Sequence, residues 1–272
     1  MKDFTIAIYS FLDDFCKKIE LFKENQKTRD AEILAAAILA ARYFGGNHQS
    51  ASTYLKSHFG LCKLDKSNFN RRLHKLSYVI SLIFYQLADA IKELSIHSNY
   101  IIDSFPIAVC KNIRNKRNKI IPYNKLYHGY NASKREYFYG YKMQVIVNEQ
   151  GLPVFYTIHA GSIHDITAFQ HLHINLPENS FLYGDSGYLD YNEEDNYQEI
   201  ENIHLKIARK SNSLRKDTPA GAALKDAIRK QVENTFAQIT ARFPKKIHAV
   251  TAEGFILKMV LFLLSFTFEK LI

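Results

Sequence analysis

Three acidic residues stand where a folded chain needs a reason for acidity. Asp103 interrupts the apolar run Tyr100-Ile-Ile-Asp103-Ser-Phe-Pro-Ile-Ala-Val-Cys110. A β-branched run of this kind predicts a buried strand. An isolated carboxylate in a core is costly unless a cation or hydrogen-bond donors meet it, so Asp103 calls for a partner. Asp185 follows the short apolar segment Phe181-Leu-Tyr-Gly184 and precedes Ser-Gly, which sets it at a strand end. Glu233 lies in a segment from Ala222 to Phe243 whose Leu224, Ile228, Val232, Phe236, Ile239 and Phe243 recur at helical spacing. It falls at the border of that apolar stripe, one turn after Arg229. Carboxylates on a central strand, on a second strand's end and on a packed helix suit two divalent metal ions bridging a phosphate.

The elements around these residues have a consistent order. Tyr137–Val147 predicts a strand, Asn148–Gly151 a turn and Leu152–Ala160 a third strand, together an antiparallel meander. His164–Leu176 predicts a helix with Asp165 in its first turn, facing the positive end of the dipole. Asp165 is thus assigned a structural part and kept as the reserve ligand should Asp185 face away, and His164 is read as packed or capping. A strand holding Asp185, a helix near Glu193 and Glu194, and a strand over His204–Ala208 come next, then the Glu233 helix and a buried apolar helix over Phe255–Leu271.

In this order the residues resemble the DDE transposases of bacterial insertion sequences. The matching pieces are Asp103-Ser-Phe-Pro, Phe138-Tyr-Gly-Tyr-Lys142, Gly161-Ser-Ile-His-Asp165, Gly184-Asp185-Ser-Gly-Tyr188 and Arg229-x-x-x-Glu233. The resemblance covers about Tyr100 to Ile272 and implies an α/β, ribonuclease H-like mixed sheet flanked by helices. It also implies Asp103, Asp185 and Glu233 as the catalytic and metal-binding set, with cutting at the element's ends and joining of the freed 3′ ends to target DNA. Asp103 would bridge two Mg²⁺ ions, for which Mn²⁺ can substitute, and a homodimer would pair two ends of double-stranded DNA. Some related transposases carry a Tyr before the Arg and a Lys after the Glu; Asp226 and Thr240 stand there, so those roles do not transfer. A metal-dependent nuclease or resolvase would use the same carboxylates, and a decayed copy would bind DNA without cutting it.

Composition agrees with a polyanionic partner. The 272 residues carry 36 Lys and Arg against 27 Asp and Glu, a formal charge of +9. Cys16, Cys62 and Cys110 are odd in number and widely spaced, which predicts reduced core thiols rather than disulfides or zinc ligands. With no leader pattern and no membrane-length apolar run, the expected location is cytoplasmic, on the nucleoid.

Two basic regions are expected to grip that partner. Residues 1–97 predict a helical domain of helix-turn-helix outline ahead of the catalytic domain, 98–272. Phe4, Ile8, Phe11, Leu12, Phe15, Ile19 and Phe22 mark its first helix, and a second stops at Gly45-Gly46. A third covers Ser50–Phe59, and Ser67 is read as the cap of one long fourth helix whose start presents Arg71, Arg72 and Lys75 to DNA. The second region is Lys111-Asn-Ile-Arg114-Asn-Lys116-Arg117-Asn-Lys119, a loop expected close to Asp103 that grips phosphates. Lys142 and Lys210 are further expected contacts.

Overall fold

The computed structural model describes residues 1–21, 26–95, 98–132 and 134–272, with the side chain of Val232 also outside the description. Phe22, read above as part of the first helix, therefore lies outside the described residues. The chain forms two compact units, residues 1–84 with 241–272 and residues 85–240.

The first unit is helical: α1 (Lys2–Lys18), α2 (Asp30–Tyr43), α3 (His48–Phe59), α4 (Lys66–Lys75), the N-terminal part of a helix α5 (Ser77–Leu94) and, from the far end of the chain, α9 (Ala252–Leu271). Every residue of α2 from Ala31 to Ala41 is buried. A helix apolar on all faces belongs in the middle of a bundle, and its small Ala side chains let α1, α3 and α9 approach. The apolar helix at the end of the chain is the other core element, buried from Met259 to Phe268. The expected long fourth helix is instead two. The helix is interrupted at Leu76, whose backbone leaves the helical region at φ −91, ψ 8, and Leu73, Leu76, Val79 and Ile80 on either side of the break are all buried. Asp65, not Ser67, caps α4, accepting from the Ser67 and Asn68 amides at 2.9 and 3.0 Å.

The second unit is built on β1 (Asn99–Cys110), β2 (His128–Asn131), β3 (Glu136–Asn148), β4 (Pro153–Ala160), α6 (Asp165–Phe169), β5 (Phe181–Gly184), α7 (Tyr191–Ile200), β6 (His204–Ile207) and α8 (Pro219–Arg242). The sheet order is β2-β3-β1-β5-β6, with β4 beside β2 on the same edge of β3. β1 pairs antiparallel with β3, while β5 and β6 run parallel to it. This is the mixed, helix-flanked sheet of the ribonuclease H-like class. The expected meander is present, and the short strand β2 is an addition to it.

Three expectations are revised. The helix after Gly161 ends at Phe169 rather than Leu176, since five residues suffice to bury Ala168 and Phe169. The basic run is not an irregular loop: a 3₁₀ helix spans Asn112–Arg117. The apolar stripe of α8 is only half inside, with Phe236 and Ile239 buried but Leu224 58 % exposed. Lys225 takes the inward position instead, its ammonium donating to Ile207 O at 3.0 Å and to Asp217 at 2.6 Å.

That ammonium ties the start of α8 to the end of β6. A second tie lies at the β3–β4 turn, where Gly151 has φ +77 and a Cβ there would stand 2.3 Å from Thr235 Oγ1. Only glycine permits both the left-handed turn and the close approach of the helix. Arg229 and Glu233 lie between the two ties.

Candidate active site

β1 and β5 run parallel with Ile101 opposite Tyr183. Asp103 and Asp185 each follow two residues later, and the backbone stays extended through Asp185. Neighbouring strands lie about 4.8 Å apart, so this register alone sets the two carboxylates side by side. Asp185 turns the chain by accepting the Gly187 amide at 2.8 Å, which caps the 3₁₀ turn Ser186–Tyr188.

Among the described residues, Asp103 accepts a hydrogen bond from the amide of its neighbour Ser104 alone, at 2.7 Å. Its carboxyl is pushed up to about 6, first by burial and then by the charges of Asp185 and Asp165, while the Ser104 amide and Arg229 pull the other way. The residue nonetheless keeps contact with water. A group crowded by protein yet open at its tip is one recessed in a site that faces solvent, and its desolvation is partial.

Successive residues of a strand face opposite sides of the sheet, and the side behind Asp103 is wired differently. Asp165, the first residue of α6, accepts from Ser104 Oγ at 2.9 Å and from Lys142 Nζ at 3.1 Å. Lys142 also donates to Ile163 O at 2.9 Å, and Gln144 Nε2 donates to Asp165 O at 2.8 Å. His159, across β3–β4 from Lys142, has its pKa lowered by burial and by that ammonium. His164 is exposed and makes no capping bond, so its expected packing or capping part is not what it does. Tyr188 sits between the two sides. Burial, then Asp165, Asp103 and Asp185, hold its phenol well above the ordinary value; Ser104 is near, yet among the described residues the hydroxyl has no partner of normal hydrogen-bond geometry. The sequence signalled this residue only as the last position of the Gly184–Tyr188 block.

Glu233 is exposed on α8, one turn beyond Arg229. Among the described residues, no three His, Cys, Asp or Glu side chains are gathered so as to hold a metal ion. The fit to a cation thus rests on two carboxylates, Asp103 and Asp185, near enough for the charge of one to raise the other, with the Ser104 amide and Arg229 set against the charge of Asp103.

The basic residues divide into those at the surface and those folded back onto the protein. Arg71, Lys75, Lys111, Arg114, Lys116, Arg117, Lys119 and Lys210 are exposed. Arg72 is folded back onto Thr28 O, Gln26 and Asp30, and Lys142 is engaged as described. The basic run is tied down by its asparagines: Asn112 donates to Tyr137 O, and Asn118 donates to Ile121 O and accepts from the Ile120 amide. It does not adjoin Asp103, because β1 continues seven residues to Cys110, up to about 23 Å at 3.3 Å per residue.

No curated protein and no solved structure matches the chain. A family model described as the transposase DDE domain matches residues 95–267, which includes the whole sheet and all of Asp103, Asp165, Asp185, Arg229 and Glu233. The chain accordingly belongs to the DDE transposase domain family, whose members cut and transfer DNA.

Proposed function

We propose that this protein cuts DNA at the ends of an insertion sequence and joins the freed 3′ ends to target DNA, at a site where Asp103, Asp185 and Glu233 hold two Mg²⁺ ions. The observation that carries the reading is the register of β1 and β5, in which Asp103 and Asp185 each lie two residues beyond the Ile101–Tyr183 pair, near enough for the charge of Asp185 to raise the Asp103 carboxyl. A divalent cation relieves that repulsion, and hard oxygen ligands suit Mg²⁺ or Mn²⁺. Such ions activate the attacking water or 3′-hydroxyl and stabilise the leaving oxygen. Glu233, exposed on a helix tied down on either side of it, would supply the third carboxylate.

The protein's own groups do the remaining work. Asp103, with its carboxyl near 6, is ionised at neutral pH and available as a ligand. Tyr188 keeps its proton, so the phenol does not serve as a base. Arg229 sets a positive charge against Asp103 and tempers the repulsion before any cation arrives. The exposed Arg71, Lys75, Lys111, Arg114, Lys116, Arg117, Lys119 and Lys210 bind phosphates, whereas Arg72 and Lys142 hold the fold. Pairing two element ends calls for a dimer on DNA.

The test is cleavage and strand joining on DNA carrying the element's ends, with and without Mg²⁺, comparing the native chain with Asp103→Ala. Metal-dependent cutting and joining that disappear in the variant support the reading. Cutting without joining indicates a nuclease or resolvase, and binding alone a decayed copy.

A further inference from the structure

In the helical unit, α3, α4 and the start of α9 surround a cavity of about 690 Å³. Its charged lining is one-sided: Lys66 and Lys258 contribute and, among the described residues, no Asp or Glu does. His48, His74 and His248 line it as well, and burial with the nearby Lys258 ammonium lowers His48 to about 4, so that ring is neutral. The nearest acids along the chain are Asp65 and Glu253. Neither lines the cavity, and the carboxylate of Asp65 is occupied in capping α4.

Lys258 shows what this wall lacks. Its ammonium donates to Gly46 O at 2.8 Å and to His248 O at 2.7 Å, two acceptors without formal charge. Among the described residues no carboxylate forms an ion pair with Lys258 or Lys66. Burial and the charge of Lys66 lower the Lys258 pKa, so two cations share the space without an anion between them. The first residues of α3 and α9 reach the same wall, adding the positive ends of two helices. Leu64, Phe69 and Leu257 supply an apolar side, and the volume is in the range of sites for organic ligands rather than bare ions.

We propose that this cavity binds a phosphate-bearing nucleotide unit, the phosphate held by Lys66 and Lys258 and the base lying toward Leu64 and Leu257. The unit is either part of a DNA strand or a free nucleotide. In the first form the inference rests on the transposase reading; in the second it stands without it.

The experiment uses the full chain with inorganic phosphate, dAMP and a short DNA duplex as probes, and compares native protein with Lys66→Glu and Lys258→Met. Lys66 is exposed and first in its helix, where an acidic residue favours the helix dipole, so Lys66→Glu folds even if Lys258→Met does not. Thermal melting is expected to show dAMP stabilising the native chain, with binding at least about tenfold weaker in Lys66→Glu, as for loss of a charge-assisted bond. If duplex affinity also falls and its salt slope drops by roughly 0.9, the phosphate belongs to DNA; an unchanged duplex affinity assigns the site to a free nucleotide. Equal binding of phosphate, dAMP and duplex by native and Lys66→Glu overturns the proposal. Cleavage measured in parallel keeps the two readings apart: nucleotide binding without cutting leaves this site standing and removes the function proposed above, and the reverse result does the opposite.

Discussion

Asp103 and Asp165 lie on opposite faces of β1, near enough for the charge of one to raise the carboxyl of the other. Asp165 is met by the Lys142 ammonium and the Ser104 hydroxyl. Asp103 has one backbone amide, a like charge beside it in Asp185, and an arginine close enough to matter but not bonded to it. A carboxylate with its donors in place stabilises the structure it sits in. One left with its repulsion uncompensated weakens the fold, and it is retained where a ligand will supply the missing charge. On the function proposed above, the contrast separates a positioning acid from a ligand acid within one small region.

The comparison breaks most sharply under substitution. Asp103→Ala is expected to reduce metal-dependent strand cleavage by roughly a thousandfold or more, while thermal melting of the metal-free chain stays level or rises because the repulsion with Asp185 is gone. Asp165→Ala should do the reverse. Chemical denaturation is expected to show a loss of about 2 kcal/mol, since Lys142 is left half-buried without its partner, and cleavage should fall far less than in Asp103→Ala. Loss of all cutting in Asp165→Ala with stability intact would move this residue into the ligand set.

A pH titration sharpens the same contrast. The carboxyl of Asp103 rises from 3.8 toward about 6 on folding. A raised acid favours the fold while protonated, so its contribution is complete below about 3.8 and is lost as pH rises through about 6. The metal-free native chain should therefore lose stability relative to Asp103→Asn between pH 4 and 7, measured by melting across that range. Curves that stay parallel would mean that Asp103 is solvated like any surface acid.

The smallest effects separate cations at the surface from those folded back onto the protein. Lys111→Ala or Lys116→Ala should each lower the salt slope of duplex binding by roughly 0.9 with melting unchanged. Arg72→Ala should lower stability by about 1 kcal/mol, from the loss of its bonds to Thr28, Gln26 and Asp30. An unaltered slope in both lysine variants would remove the basic run from the DNA interface.

Local pattern in the amino-acid sequence determined the strands at 100, 137, 152, 181 and 204 and the order in which they occur, and it singled out the acids proposed to carry chemistry, because β-branched runs and interrupting carboxylates are visible over a few residues. It also placed Arg229 one turn from Glu233, since helical spacing needs no tertiary knowledge. Only the tertiary structure decided which acid has a counter-charge. Lys142 and Asp165 are 23 positions apart, and the antiparallel ladder that lets them meet is invisible to any local window. The same holds for α8, where Lys225 rather than Leu224 turns inward because Ile207 O and Asp217 wait for it. It holds too for the basic run, carried away from Asp103 by a strand whose length is set by its pairing with β3. Composition and period reveal what each segment prefers; which charges are satisfied and which are left for a ligand depends on contacts between segments that the chain brings together only when it folds.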